Sequence, residues 1–257
     1  MELREFEETL KNNNALKYKD YLIFNDFEIY DLEKDTSVNF ENLEELYEHE
    51  IEGKKLKDII LGIEKFYITL EGGRGSGSSS KGMAGGFTSA NQGGRKSKEY
   101  GATQFPARLN TEGQRYKSYE KTLKKFEKMY KDADIEYGAT IDDQGFAHKL
   151  IKGGSTSVPI HGQKGQMILH NHPSGGNFSK ADLIVLASGS EKGIVAVGSN
   201  VKKDRMRYTI TKNKNFKAKE FAKAVNRAQW PKNLSYDKGA DWWLRKNAKT
   251  YGYKYSA

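Results

Sequence analysis

One stretch divides this chain. Residues 72–94, GGRGSGSSSKGMAGGFTSANQGG, hold nine glycines and five serines and almost nothing to bury. A segment of that composition forms no core and behaves as a flexible tether. A phosphate-cradling loop would need a strand before it, a helix after it and a closing Lys-Ser/Thr, and that pattern is missing. Residues 95–115 continue polar and basic without a period, so the expected linker spans 72–115.

Residues 1–71 read as a small α+β interaction module. Leu3, Phe6 and Leu10 fall at helical spacing within Met1 to Asn14. Tyr21 to Phe24 and Phe27 to Tyr30 predict two strands around an Asn25-Asp26 turn. Asn42 predicts the cap of a helix carrying Leu43, Leu46 and Tyr47, with Glu45 completing a capping box. Leu56 to Ile63 reads as a helix and Lys65 to Leu70 as a strand. The module balances to −10, against +19 for residues 72–257. Opposite charge lets two modules attract, or lets one face nucleic acid while the other is kept off it. It speaks to association and solubility rather than to fold.

Order returns at residue 116, and a second domain is expected over 116–212. Tyr119, Leu123, Phe126 and Tyr130 mark an amphipathic helix. Ile135 to Ile151 alternates like a hairpin about Asp143-Gln144-Gly145, and Gln166 to Leu169 is a third strand. Ala181 to Ser188 reads as a buried helix, with Gly193 to Gly198 and Arg207 to Thr211 as further strands. The tail, 213–257, predicts two helices, one with Phe216, Phe221, Val225 and Ala228, the other from Ala240 to Ala248. There is no cysteine, which excludes disulfides, thiolate metal sites and thiol catalysis, so a metal must sit on His, Asp or Glu. No apolar run is long enough for a membrane span, and no apolar segment of a secretory signal opens the chain.

The chemistry is concentrated after the third strand, in His170-Asn171-His172-Pro173-Ser174-Gly175-Gly176-Asn177-Phe178-Ser179-Lys180-Ala181-Asp182. In extended chain, residues two apart point the same way, so His170 and His172 converge. Ser179 then opens a helix that offers Asp182 in its first turn. Two imidazoles and a carboxylate suffice for Zn²⁺ with one position left for water, whose pKa falls toward about 7. Read alone, Ser179 and Asp182 are also an N-cap and a stabilising first-turn acid, and both readings hold together. His49, His148 and His161 receive no role.

These residues resemble the JAMM motif of the JAB/MPN domains, His-x-His-Pro followed by Ser-x-x-Asp, and the Asn171 and Pro173-Ser174-Gly175 positions are most similar to the bacterial RadC-like branch. The resemblance implies an α+β or α/β fold, a cytidine-deaminase-like mixed β-sheet flanked by helices, with zinc on His170, His172 and Asp182. It also implies a glutamate on an upstream strand that polarises a water and shuttles its proton. The matching position is Glu136, with Glu120 and Glu127 on the preceding helix as the alternatives. Ser179 matches the serine that steadies the oxyanion or the metal-bound water. Nine residues lie between His172 and Asp182, one fewer than in the family, so a tighter turn at Gly175-Gly176 is expected.

The implied activity is a zinc metallopeptidase or isopeptidase acting on a peptide or protein. More loosely, the whole layout resembles uncharacterised proteins of phages and prophages of Gram-positive bacteria, some encoded among head and tail genes. That implies action in the bacterial cytoplasm or in the virion, with a phage structural protein as a possible partner. The alternative is a non-enzymatic assembly or binding protein on the same scaffold. Basic residues interleaved with Trp230, Trp242, Trp243 and tyrosines in the tail suit nucleic-acid stacking, or else helices burying their aromatics with lysines outward.

Overall fold

The computed structural model describes residues 2–61, 69–71, 98–100, 118–199 and 205–257. The remaining residues of the expected tether and of the 65–70 strand lie outside these. The molecule is a mixed α+β structure with sheets flanked by helices.

The front part opens with α1 (Leu3–Lys11) and a meander of β1 (Ala15–Tyr18), β2 (Tyr21–Phe24), β3 (Glu28–Asp31) and β4 (Thr36–Asn39), antiparallel throughout. After it come α2 (Leu43–Glu48), a short ribbon of β5 (Glu50–Ile51) and β6 (Lys54–Lys55), and α3 (Leu56–Leu61). Asn42 caps α2 through the Glu45 amide, as expected. Phe27 departs from the expected strand: it sits at φ 62°, in the left-handed turn between β2 and β3. Leu16, Ile23 and Ile29 face the three helices and pack with Phe6, Leu10, Leu46, Leu56 and Ile60. Their neighbours Ala15, Leu22, Phe24 and Tyr30 face the other way, into the core of the second part. A strand apolar at every position is one covered on both faces.

The second part is built on a seven-stranded sheet of order β15-β14-β13-β12-β9-β10-β8. Its strands are β8 (Lys98–Tyr100), β9 (Tyr137–Ile141), β10 (Ala147–Lys152), β12 (Met167–Asn171), β13 (Gly193–Ser199), β14 (Arg205–Lys212) and β15 (Tyr253–Ser256). Among the described residues, only β12 and β13 pair in parallel, joined by a helix, α5 (Lys180–Ser188), because a parallel pair needs a crossover. Strand β8 falls inside the stretch expected to be a tether, and β15 closes an edge where only helix was expected. Two further short strands, β7 (Thr69–Glu71) and β11 (Ser157–Pro159), form a separate antiparallel ribbon.

Side chains alternate cleanly across the central strands. Met167, Leu169, Val195 and Val197 meet Leu123, Phe126 and Tyr130 of α4 (Tyr119–Tyr130) on one face. Ile168, Ile194 and Ala196 meet α5, α6 (Ala218–Arg227) and α7 (Tyr236–Tyr251) on the other. The front meander docks on this second face. Lys219 pairs with Asp26 at 2.6 Å and with Glu28, Lys223 pairs with Glu28, and Arg227 pairs with Asp35 at 2.8 Å. Asn226 Nδ2 donates to the Leu32 carbonyl at 2.8 Å. Among the described residues, no helix is long and apolar enough to cross a membrane.

Candidate metal centre

His170 lies near the end of β12 and His172 just beyond it, where the His172 amide still donates to the Val197 carbonyl at 2.7 Å and prolongs the ladder. That continuation keeps the chain extended, so both imidazoles emerge on the α5 face of the sheet. Their Nε2 atoms stand 2.8 Å apart. Ser179 caps α5: its Oγ accepts from the Asp182 amide at 3.1 Å, while Asp182 Oδ2 accepts from the Ser179 amide at 2.7 Å. The capping box thus fixes the carboxylate as well as the helix start. Asp182 Oδ1 lies 3.5 Å from His170 Nε2, and Oδ2 lies 3.4 Å from His172 Nε2. Three ligand-type atoms therefore fall within 4.8 Å of one another, on side chains with no exposure.

The turn absorbs the short spacing where glycine allows it. Gly175 adopts φ 69° and its amide donates to the His172 carbonyl at 2.9 Å. Gly198 on β13 presses on the same turn: a Cβ there would sit 2.6 Å from the His172 carbonyl oxygen and 2.8 Å from Gly175 Cα. The Gly176 carbonyl accepts from His172 Nδ1 at 2.8 Å. With Nδ1 donating, the lone pair of neutral His172 sits on Nε2, facing His170 and Asp182.

Burial opposes charge on Asp182, but the two histidines outweigh it and hold the carboxyl well below the usual carboxylate range. Burial lowers the His170 pKa, only partly offset by Asp182, whereas for His172 burial is outweighed by Asp182 and the Gly176 carbonyl and the pKa rises. Asp182 Oδ1 is buried without a hydrogen bond, and two imidazole nitrogens point at each other beside it. A divalent ion would satisfy all three, and the N/N/O donor set is one that metals bound through imidazole and carboxylate take.

Glu136 is held by its neighbours in the backbone. β9 and β12 pair His170 with Gly138, and Glu136 stands immediately before β9, two residues from Gly138. Its side chain is fully buried and lies outside the three-ligand group. Asn171, the residue between the histidines, points the other way and grips the backbone on either side of Glu136. Its Nδ2 donates to the Ile135 carbonyl at 3.0 Å and its Oδ1 accepts from the Tyr137 amide at 2.6 Å. The Glu136 amide donates to the Gly154 carbonyl at 2.7 Å, and its carbonyl accepts from Gly153 at 2.8 Å. Glu120 and Glu127 are elsewhere: α4 packs on the opposite face, and both glutamates bind Arg207.

The tail contributes what sequence reading missed. The Asn177 amide donates to Asp237 Oδ1 at 2.8 Å, Asn177 Nδ2 donates to the Tyr255 hydroxyl at 2.8 Å, and the Tyr236 hydroxyl donates to the Phe178 carbonyl at 3.2 Å. α7 and β15 therefore fasten the loop between the histidines and α5. Trp243 is buried and Trp230 half-buried beside it, while Trp242 is exposed with Lys246 Nζ 4.7 Å above its ring. No local signal in the sequence marks these long-range pairs; only the polar residues of Ser235 to Asp237, a helix start, hint at them. Comparisons with protein-family models, curated proteins and solved structures return no significant match.

Proposed function

We propose that this chain is a JAB/MPN-like zinc-dependent hydrolase of the JAMM type that cleaves an amide bond in a peptide or protein, and that it acts as a phage or prophage protein in the host cytoplasm or the virion. The observation that carries the reading is the convergence of His170, His172 and Asp182 in one buried group, with buried Glu136 immediately before the neighbouring strand β9. Zinc held by these three side chains would supply Lewis-acid polarisation of an amide carbonyl and bring the pKa of a water toward about 7.

The chain's own residues do the rest. Glu136 is the general base: its carboxylate takes a proton from the attacking water and returns it to the leaving nitrogen. Asn171 holds the Glu136 backbone against the histidine strand, so the base keeps its place relative to the ligands. Ser179 Oγ already accepts from the Asp182 amide, which leaves its hydroxyl proton to donate toward an oxyanion. The apolar wall of Phe178, Val158 and Ile160 keeps bulk water away.

A second reading, a non-enzymatic assembly protein with a structural ion, draws on the complete burial of the three ligands. Elemental analysis beside activity separates the two. Wild type is expected to carry about one zinc per chain and the His170→Ala/His172→Ala variant none. Glu136→Gln is expected to keep the zinc and lose all cleavage. A wild type without zinc after supplementation overturns the metal site, and cleavage retained in Glu136→Gln overturns the base.

A further inference from the structure

The aromatic residues of the tail divide into two kinds. Trp230 and Trp243 pack against each other and against Phe221, Tyr236 and Tyr251, and so belong to the core that α6 and α7 share with the sheet. Trp242 does not: it is 41% exposed, and among the described residues only Val38 is another large apolar side chain left on the surface. A single exposed apolar residue needs no explanation by itself. The surroundings of Trp242 are what distinguish it.

Successive turns of α7 bring Lys238, Trp242, Arg245, Lys246 and Lys249 onto one face, at spacings of three and four, and all five are exposed. Lys246 Nζ stands 4.7 Å from the centre of the Trp242 ring, and the Arg245 guanidinium lies 5.3 Å from that of Tyr255 on β15. The acids of the helix are engaged elsewhere. Asp237 accepts from the Asn177 amide, while Asp241 accepts from Arg245 Nε at 2.9 Å and from the Tyr255 hydroxyl at 3.1 Å. At 1.5 Å per residue the stripe from Lys238 to Lys249 runs about 16 Å, a span of several phosphates. Cations flanking an aromatic face are the two parts of a single-strand platform: the charges track the backbone, and the ring takes a base.

We propose that the outer face of α7 is a docking surface for single-stranded nucleic acid, with phosphates along Lys238, Lys246 and Lys249 and one base stacked on the Trp242 indole. Charge complementarity calls for a polyanion, and the exposed ring selects among polyanions. A duplex offers phosphates but keeps its bases paired and stacked within, out of reach of an indole. An anionic membrane surface takes up a helix through a broad apolar face, and here a single ring stands among cations. Lys246 is exposed and long, so its ammonium moves from the ring to a neighbouring phosphate when a base arrives. The inference stands apart from the hydrolase reading, since it needs neither the metal nor Glu136.

The test is fluorescence anisotropy of a labelled oligothymidylate titrated with the full-length chain over a range of salt concentrations. Wild type is expected to bind, with log affinity falling linearly as log salt rises. Trp242→Ala is expected to weaken binding about 5- to 150-fold, the loss of one stacked base, with the salt slope unchanged, and Trp242→Phe to restore most of it. Lys246→Ala/Lys249→Ala is expected to weaken binding and to reduce the salt slope by about 1.4, for two lost phosphate contacts. All three positions are exposed, so melting temperatures are expected to stay at the wild-type value. No binding by wild type at low salt overturns the proposal. Binding that is the same in wild type and in both sets of variants lies elsewhere on the chain and overturns this surface. A duplex of the same length that competes as well as the single strand overturns the stacked base. Vesicles of phosphatidylserine and phosphatidylcholine are added in a parallel sample, and binding to them that Trp242→Ala abolishes, with no binding to the oligonucleotide, replaces nucleic acid by a membrane surface.

Discussion

Asn171 and Gly198 do their work without touching a metal. Asn171 replaces two backbone partners that the end of β9 would otherwise lack, and so fixes Glu136 while the histidines are fixed by β12. Asn171→Ala is expected to lower turnover about 10–100-fold, the usual cost of losing an outer-shell partner, with zinc stoichiometry unchanged. An equal loss of zinc would show instead that Asn171 supports the ligands. Gly198→Ala acts on the other side: the added methyl meets the His172 carbonyl and Gly175 backbone, neither of which can swing away. Overpacking of this kind costs about 1–3 kcal/mol, so a lower melting temperature and weaker zinc binding are expected together in a competition titration with a chelator. Unaltered zinc affinity would show that the ligand turn yields freely. His170, His172, Ser179 and Asp182 were legible in the sequence because their geometry is local, alternation along a strand and a cap three residues from its acid. Gly198 was not, since its constraint is a contact with a turn more than twenty residues away.

At the scale of elements, α5 shows how one helix start serves two ends. Ser179 satisfies the Asp182 amide, and Asp182 satisfies the Ser179 amide, so helix capping and ligand placement share the same bonds. Ser179→Ala is expected to cost about 1 kcal/mol of stability, the ordinary price of an N-cap, seen as a melting temperature a few degrees lower. No change in melting temperature would mean that packing alone, with Leu183 and Leu186 fully buried, holds the helix start. Most central strands were legible from their apolar runs. β11 and β15 were not: the first is three residues long, and the second is defined by its partner β14 rather than by a pattern of its own. β8 is a short polar edge strand, Lys98-Glu99-Tyr100, of the sort that composition assigns to a linker.

Across the whole molecule, the opposite charges of the two parts meet at one seam. Glu28 is buried there, which opposes its charge, but Lys219, Lys223 and Ser37 outweigh burial and hold its pKa below the usual 4.5. In the unfolded chain Glu28 takes up a proton at higher pH than in the folded one, so stability rises with pH through this window. The contribution is fully present above about pH 4.5 and is lost as pH falls through the lowered folded value. Melting temperatures of wild type and Glu28→Gln, compared from pH 7 down to pH 3, are expected to differ at neutral pH and to converge in acid. A gap that persists unchanged at the acid end would place the effect of Glu28 in its packing rather than its charge. The charge split was visible in the sequence, whereas the seam itself was not: Leu22-Ile23-Phe24 has no polar position to mark which face is outermost, and only a second sheet face to cover makes sense of it.

The fastening of the ligand loop by Asp237 and Tyr255 also sets an order of events during synthesis. The ribosome makes His170, His172 and Asp182 long before it makes α7 and β15, so the emerging chain carries its ligands for some time without their clasps. The site matures only when the last strand closes on β14.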